Sequence, residues 1–224
     1  MSSEYFQGMD VSEKLWHVAS NPNAASFSYQ RLAVCRKAAE TQMRRIWEAV
    51  TIAQSAAREP SREAALSELR AFLAEAQQRH VPLLHETHFY FVAWANCGNM
   101  LRVLTGLPEF LEAKKVFDSH KRHFEHYTAA RNSFEHYHDR LPGKPDEKKV
   151  REVIQEVGTG PSRIYYGFEG GNYKHSDMTW DITPKSLTLL QGLIDEVLSV
   201  LHRQIEELFQ AKFSRGAEKG SRNH

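Results

Sequence analysis

An apolar stripe at helical spacing runs through residues 27–58 and constrains the fold more than any other feature. Apolar side chains recur every three or four positions without a gap, which is the period of one helix face. They are Leu32, Cys35, Ala39, Met43, Ile46, Val50 and Ala53. A similar stripe follows Thr183 and Pro184, which we predict to be the cap and first turn of the last helix. Long helices with one apolar face bury that face against each other, so the pattern predicts a helical bundle.

Three further segments between these two also predict helices. Ser61 is placed to cap a second helix, and Pro82 is assigned to the first turn of a third, because proline lacks the N–H that a helix interior uses. A fourth helix is predicted from near Pro108 to about Arg140, with a short polar helix at about 146–157. Of these predicted helices, we expect about four to be long.

The composition changes after the fourth helix. The runs "RIYYGF" and "YKHSDMTWDI" are rich in aromatic and β-branched residues, and Gly170 and Gly171 lie between them. This arrangement predicts a β-hairpin at about residues 163–182. The fold class expected is all-α: an up-and-down bundle with a small hairpin before the last helix. We expect one domain over residues 9–213 and a flexible tail over 214–224.

The first residues read differently from the rest. The run "SSEYFQGM" resembles the remnant of a protease recognition sequence used in cloning. We expect residues 1–8 to be a tag remnant and Met9 to be the natural start.

Charge and cysteine usage narrow the class of protein. Lys+Arg 29 against Asp+Glu 28 leaves no overall basic signal, so binding to nucleic acid would need a local patch. Cys35 and Cys97 each stand alone in apolar surroundings, which is typical of core thiols in a cytoplasmic protein. Because no apolar run reaches the roughly 18 residues of a membrane span, we expect no membrane association.

One polar segment, "ARNSFEHYHDRLP" at 130–142, closes the fourth helix. Histidine exchanges protons near neutral pH, and arginine offers a charged fork of donors that matches phosphate oxygens. A base that activates a ribose 2′-OH and a cation that stabilises the phosphate together satisfy the needs of RNA cleavage. Such a reaction requires no metal and no cofactor. Arg131, His136 and His138 are therefore the candidate catalytic residues that this chemistry indicates.

Helical geometry leaves the choice of histidine open. Arg131 and His138 are seven positions apart and share one face, whereas His136 lies about 140° around the helix from Arg131. His136 lies one turn beyond Asn132 instead. On a single straight helix His138 is the better-aligned partner, and a bend or a second subunit would restore His136.

The run "RNSFEH" reads as R-N-x-x-x-H and resembles the signature of the HEPN superfamily (higher eukaryotes and prokaryotes nucleotide-binding). The position late in a long helix, the helical bundle and the polar residue after the arginine agree with that resemblance. It implies a metal-independent endoribonuclease that dimerises, with Arg131 and His136 as the catalytic pair and Asn132 orienting them. His138 also satisfies the family spacing, at six residues.

The resemblance carries biological expectations as well. Many active HEPN proteins are toxins or antiviral defence effectors, whereas other members only bind or scaffold. Some toxins carry a tyrosine two residues after the histidine, which a nucleotidyltransferase-type antitoxin modifies; here that position is His138, and the tyrosine is Tyr137. An exposed apolar stripe on the fourth helix would be the sign of the expected homodimer.

Three hairpin residues are candidate RNA contacts. Arg163, Lys174 and Tyr166 place cations beside an aromatic ring, which is a combination that stacks on unpaired bases. The alternative, which we favour, is that alternate rings of the hairpin pack onto the bundle while the others lie at an edge, since a hairpin alone is marginally stable.

Two histidine groups raise the question of a metal. His120, His123 and His126 step by three, which spreads them around the fourth helix, so we expect no metal site there. The run "HETH" at 85–88 places its second histidine at i+3, where zinc proteases need i+4, and predicts core or interface histidines.

Overall fold

The computed structural model describes residues 9–55, 66–135, 166–169, 171–175 and 178–220. It confirms the predicted fold class, an all-α bundle of four long helices with a β-hairpin before the last helix. The elements are α1 (Val11–Val18), α2 (Pro22–Ser55), α3 (Leu66–Thr105), a 3₁₀ turn (Pro108–Phe110), α4 (Leu111–Glu135), β1 (Tyr166–Glu169), β2 (Asn172–His175), β3 (Met178–Asp181) and α5 (Pro184–Gly220).

α1 precedes the segments that were predicted to be helical, and α2 begins earlier than predicted. The Asp10 side chain accepts a hydrogen bond from the Glu13 N–H, and the Glu13 carboxylate accepts one from the Asp10 N–H. This reciprocal capping box satisfies N–H groups that a helix start otherwise leaves free. α2 begins at Pro22 and not at residue 27, and the Asn21 side chain accepts a hydrogen bond from the Ala24 N–H at 3.2 Å.

The prediction of two helices that meet at Pro82 is wrong, because α3 is continuous through that residue. A proline inside a helix removes one N–H donor, here the partner of the carbonyl at Gln78. Both Pro82 and Gln78 are exposed, so water can bond that carbonyl. Buried residues such as Leu83 and Thr87 follow immediately, and their packing favours continuing the helix.

α4 forms where the fourth helix was predicted. The chain enters it through the 3₁₀ turn at Pro108–Phe110, and the structure describes the helix as far as Glu135. The predicted continuation to Arg140 and the predicted polar helix at 146–157 lie outside the described residues.

The hairpin is part of a three-stranded antiparallel sheet with strand order β1-β2-β3. β1 and β2 form the predicted hairpin, and the second predicted arm supplies both β2 and β3. Gly171 in the turn has φ 81°, and a Cβ atom there would lie 2.5 Å from Thr183 Cγ2. Only glycine meets both conditions without strain.

The helices pass through two compact units. Unit 1 comprises Met1–Ala38, Ala93–Glu125 and Thr188–His224, and unit 2 comprises Ala39–Val92 and His126–Leu187. The single domain over residues 9–213 stays a prediction. α5 is helical to Gly220 and so enters the segment 214–224, for which a flexible tail is predicted.

Unit 1 has a close-packed core of apolar and aromatic side chains. The ring of Phe124 lies 5.8 Å from that of Trp94, and a Cβ atom added at Gly98 would approach Phe124 to 2.9 Å. Cys35 and Cys97 are buried and free, as predicted for core thiols. Burial raises the pKa of both thiols, so neither is a reactive thiolate at neutral pH.

Unit 2 is built around Phe91. Its fully buried ring lies 5.7 Å to 6.0 Å from the rings of Phe134, Tyr173, Tyr127 and Trp180. These partners come from α4, β2 and β3, so one aromatic side chain of α3 ties the sheet to the helices. An isolated hairpin would lack this support.

Candidate functional site

The last part of α4, residues 126–135, carries the Arg–Asn pair of the motif. Tyr127 and Ala130 are buried on the inner face of this segment, whereas Arg131 and Asn132 are half-buried. Tyr127 donates a hydrogen bond to the Asp181 carbonyl at 2.7 Å, and Trp180 Nε1 donates to the His126 carbonyl at 2.8 Å. Strand β3 therefore holds this end of α4 in place.

Arg131 is paired but incompletely hydrogen-bonded. Its side chain is 28% exposed, and Nε lies 3.3 Å from Glu135 Oε2, one turn further along the helix. The distance is that of an ion pair, but the N–H···O geometry falls short of a hydrogen bond. Among the residues the structure describes, this buried Nε has no hydrogen-bond partner. The guanidinium therefore keeps hydrogen-bonding capacity for a ligand or an ordered water.

His88 of α3 lies beside this arginine. Its ring stacks on Phe134, with centroids 5.3 Å apart and an angle of 22° between planes. Burial lowers the pKa of His88 below its ordinary value of 6.5; the Glu135 carboxylate opposes this shift, and Arg131 and His85 add to it. Within the described part of the chain, its buried Nε2 has no hydrogen-bond partner. The His88 imidazole and the Arg131 guanidinium thus each place one buried nitrogen without a hydrogen-bond partner in the same part of unit 2.

The sheet contributes a ring to the same locality. Tyr173 of β2 stacks on Phe134 with centroids 4.7 Å apart. Tyr173 and Trp180 are buried, which confirms for these two rings the interpretation that hairpin aromatics pack onto the bundle. Because side chains alternate along a strand, Lys174 points to the face opposite Tyr173.

The structure places the predicted RNA-contact residues as follows. Half-buried Lys174 is paired in register with Gly167 and Thr179. Tyr166 is the first residue of β1 and pairs with His175. Arg163 lies outside the described residues, as do both candidate catalytic histidines, His136 and His138. Of the predicted catalytic set, the structure therefore positions Arg131 and Asn132 only.

The other α4 histidines have separate surroundings. In unit 1, His120 Nε2 lies 2.9 Å from Glu196 Oε2, and His123 is exposed. In unit 2, His126 Nε2 donates to the Thr179 carbonyl at 3.1 Å. In the ranges that the structure describes, no group of three His, Cys, Asp or Glu side chains is arranged to hold a metal ion.

A separate concavity of about 600 Å³ opens in unit 2. Its charged lining consists of Arg45 with three carboxylates, those of Glu48, Glu75 and Glu86. Carboxylates repel phosphate, so this concavity is a poor place for an RNA backbone.

Two residues of the Arg131 locality were not among the predicted site residues. Glu135 follows Arg131 by four positions, so helical spacing alone could have indicated this ion pair. His88 belongs to the run "HETH", for which the sequence predicts a core or interface histidine. No local pattern indicates that its ring meets Phe134, since that contact depends on how α3 and α4 pack.

Comparisons with known proteins add no family assignment. No family model, no curated protein and no solved structure matches the chain. Among the residues that the structure covers, no helix combines the length and the hydropathy needed to cross a membrane.

Proposed function

We propose that this chain is a HEPN-like, metal-independent endoribonuclease. The observation that carries the proposal is the R-N-x-x-x-H run near the end of α4, in an all-α bundle of four long helices. The half-buried Arg131 supports it, because a guanidinium that is 28% exposed can bring a charged fork of donors to a phosphate oxygen.

In this mechanism the ribose 2′-OH attacks the adjacent phosphorus. His136 accepts the proton of that hydroxyl, the O2′–P bond forms and the P–O5′ bond breaks. Arg131 stabilises the negative charge on the phosphate oxygens, and Asn132 orients the pair. The products are a 2′,3′-cyclic phosphate and a 5′-hydroxyl, which takes up a proton. His138 is the alternative base.

The ion pair between Arg131 and Glu135 affects how substrate binds. Glu135 lies on the Nε side of the guanidinium, and it is exposed. A phosphate that approaches the terminal nitrogens brings its charge close to this carboxylate. Affinity for RNA is therefore expected to be held down by Glu135 and to rise when that charge is removed.

The same ion pair favours a second candidate, a non-catalytic HEPN-like module that recognises RNA or a partner protein. In that case Glu135 neutralises Arg131 permanently and the arginine serves the fold. The two candidates differ in whether RNA is cut, so a single assay separates them.

The proposed assembly is a cytoplasmic homodimer that acts as a toxin or antiviral effector, with a nucleotidyltransferase-type antitoxin as its expected partner. These proposals rest on the resemblance alone. Within the described part of α4, Leu111 is the single large apolar side chain that is exposed. The exposed surface of this part of the helix therefore has no apolar stripe on which a dimer could form. Light scattering of the purified chain tests the dimer directly.

The decisive experiment incubates mixed RNA and excess EDTA with the wild-type chain and with Arg131→Ala, His136→Ala and His138→Ala. Arg122→Ala is the matched control, because Arg122 is an exposed arginine on the same helix. We expect Arg131→Ala and His136→Ala to lose about 100-fold or more of the cleavage rate, and Arg122→Ala to retain it. If His138→Ala loses activity and His136→Ala keeps it, His138 is the base.

Two further readouts protect that result. Cleaved RNA should carry 2′,3′-cyclic phosphate ends, and an oligonucleotide without 2′-hydroxyls should stay intact. Equal cleavage by the wild type and all four variants would reveal a contaminating nuclease and overturn the proposal. RNA binding without cleavage by the wild type would select the non-catalytic module.

A further inference from the structure

Five rings of unit 2 form a continuous stack from the sheet to the surface of α3. Successive pairs are Trp180 on Tyr173, Tyr173 on Phe134, Phe134 on His88 and His88 on Phe89. Their centroids lie 4.7 Å to 5.8 Å apart and their planes meet at 22° to 29°. Offset stacking at these distances is attractive, so each ring restrains the orientation of the next.

The two ends of this stack differ. Trp180 is fully buried and is held by its hydrogen bond to the His126 carbonyl. Phe89 is a large apolar side chain that is 53% exposed, although the two residues that follow it, Tyr90 and Phe91, are buried. The exposed end is therefore supported from within, which makes it a pre-ordered flat surface.

Cationic or protonatable groups accompany the exposed end. His85 lies one turn before Phe89 on the same face of α3 and is exposed. Arg131 lies three positions before Phe134 on α4, and the Phe134 ring stacks on His88, the ring beneath Phe89. A nucleotide base on Phe89 would thus have its sugar–phosphate in the neighbourhood of the arginine assigned to the scissile phosphate.

We propose that Phe89 is the stacking platform for one unpaired base of a single-stranded RNA substrate, with His85 and Arg131 beside the adjoining phosphate. The inference rests on the proposed function, since it takes Arg131 as the phosphate contact. A flat aromatic ring accepts any base, whereas paired bases in a duplex are already stacked on each other. The site therefore selects single-stranded RNA without selecting a sequence.

Binding is measured with a short fluorescent single-stranded 2′-O-methyl RNA, which keeps bases and phosphates but has no attacking hydroxyl. Phe89→Ala should raise Kd roughly tenfold, because it removes one base–aromatic stack. Phe89→Leu should weaken binding similarly, since leucine is apolar but not flat, and Phe89→Trp should restore it. The matched control is Phe27→Ala, which removes another exposed phenylalanine, 64% exposed on α2.

Each outcome has a defined meaning. If Phe89→Ala and Phe27→Ala bind as the wild type does while the wild type cleaves RNA, the platform is refuted and the ribonuclease stands. If Kd depends on Phe89 but no RNA is cleaved, the platform stands and the catalytic proposal fails. If the wild type binds no single-stranded RNA, or if Phe89→Leu binds as tightly as the wild type, the platform is refuted.

Discussion

Two threonines on one helix show how the two units differ. Both Thr105 in unit 1 and Thr87 in unit 2 are buried on α3. The Thr105 hydroxyl donates to the Leu101 carbonyl at 2.8 Å, whereas Thr87 Oγ1 has no hydrogen-bond partner among the described residues. A buried hydroxyl without a partner is costly, so Thr87 retains a cost that Thr105 avoids.

The difference extends beyond one pair. Within the described part of unit 2, buried side-chain atoms without a hydrogen-bond partner also occur at Gln42, Glu86, His88 and Arg131. Native folds keep few such groups and tend to keep them where function requires them. Two of these atoms, at His88 and Arg131, lie in the locality that contains the motif.

The substitution with the largest expected effect on stability removes a buried hydrogen bond of unit 1. Buried Gln204 of α5 accepts a hydrogen bond from the Ala113 N–H at 2.9 Å, and so caps the first turn of α4 from a neighbouring helix. Gln204→Met keeps the volume but leaves that N–H without a partner. We expect the free energy of unfolding in urea to fall by about 1–3 kcal/mol.

Gln210 on the same helix is the control, because it is exposed and its bond among the described residues is to the neighbouring side chain of Glu206. Gln210→Met should change stability by less than about 0.5 kcal/mol. Equal effects of the two substitutions would mean that the Gln204 cap does not stabilise unit 1.

The next effect has the opposite sign and lies in unit 2. Thr87→Val replaces a buried hydroxyl by a methyl group of similar shape and removes the unsatisfied atom. We expect a gain of about 1 kcal/mol in the free energy of unfolding. Thr105→Val, its counterpart in unit 1, should instead lose about 0.5–1.5 kcal/mol with the bond to Leu101. Destabilisation by Thr87→Val would show that water satisfies this hydroxyl and would remove one contrast between the units.

Local periodicity explains why the helices were predictable. The stripe through Leu32, Cys35 and Met43 is buried along one face of α2, and the stripe of α5 behaves in the same way at Leu190, Ile194 and similar positions. The predicted helix break at Pro82 is wrong. A proline in the sequence shows that one backbone N–H donor is missing. Whether the helix continues is decided by the burial of Leu83 and Thr87 on the neighbouring turns.

The site was predictable only in part, and for a different reason. Arg131 and Asn132 are adjacent in sequence, so a short motif can identify them. The stack of His88 on Phe134 joins α3 to α4 across 46 positions, and the stack of Phe134 on Tyr173 joins α4 to the sheet. Neither contact repeats with a helical or strand period, so only the packed structure reveals that these rings meet beside the arginine.

The smallest expected effect concerns the pH dependence of two histidines. Burial lowers the pKa of His88 in unit 2 and of His202 in unit 1 below 6.5. As pH falls through 6.5, the unfolded chain binds protons that the folded chain still refuses, so the free energy of unfolding decreases. The loss levels off once the pH is below the folded pKa, where both states are protonated.

The two histidines differ in their partners, and this difference tests the comparison. His202 Nε2 lies 3.0 Å from the Tyr29 hydroxyl, whereas His88 Nε2 has no partner in the described residues. His88→Phe keeps a stacking ring and should flatten the decline of stability between about pH 7 and pH 5 without a loss at neutral pH. His202→Phe should also flatten the decline, but it should lower stability at every pH because the Tyr29 hydroxyl loses its partner. Urea unfolding at several pH values measures both. An unchanged decline in His88→Phe would mean that His88 is not held neutral, and the contrast between the units would then rest on Thr87 and Arg131.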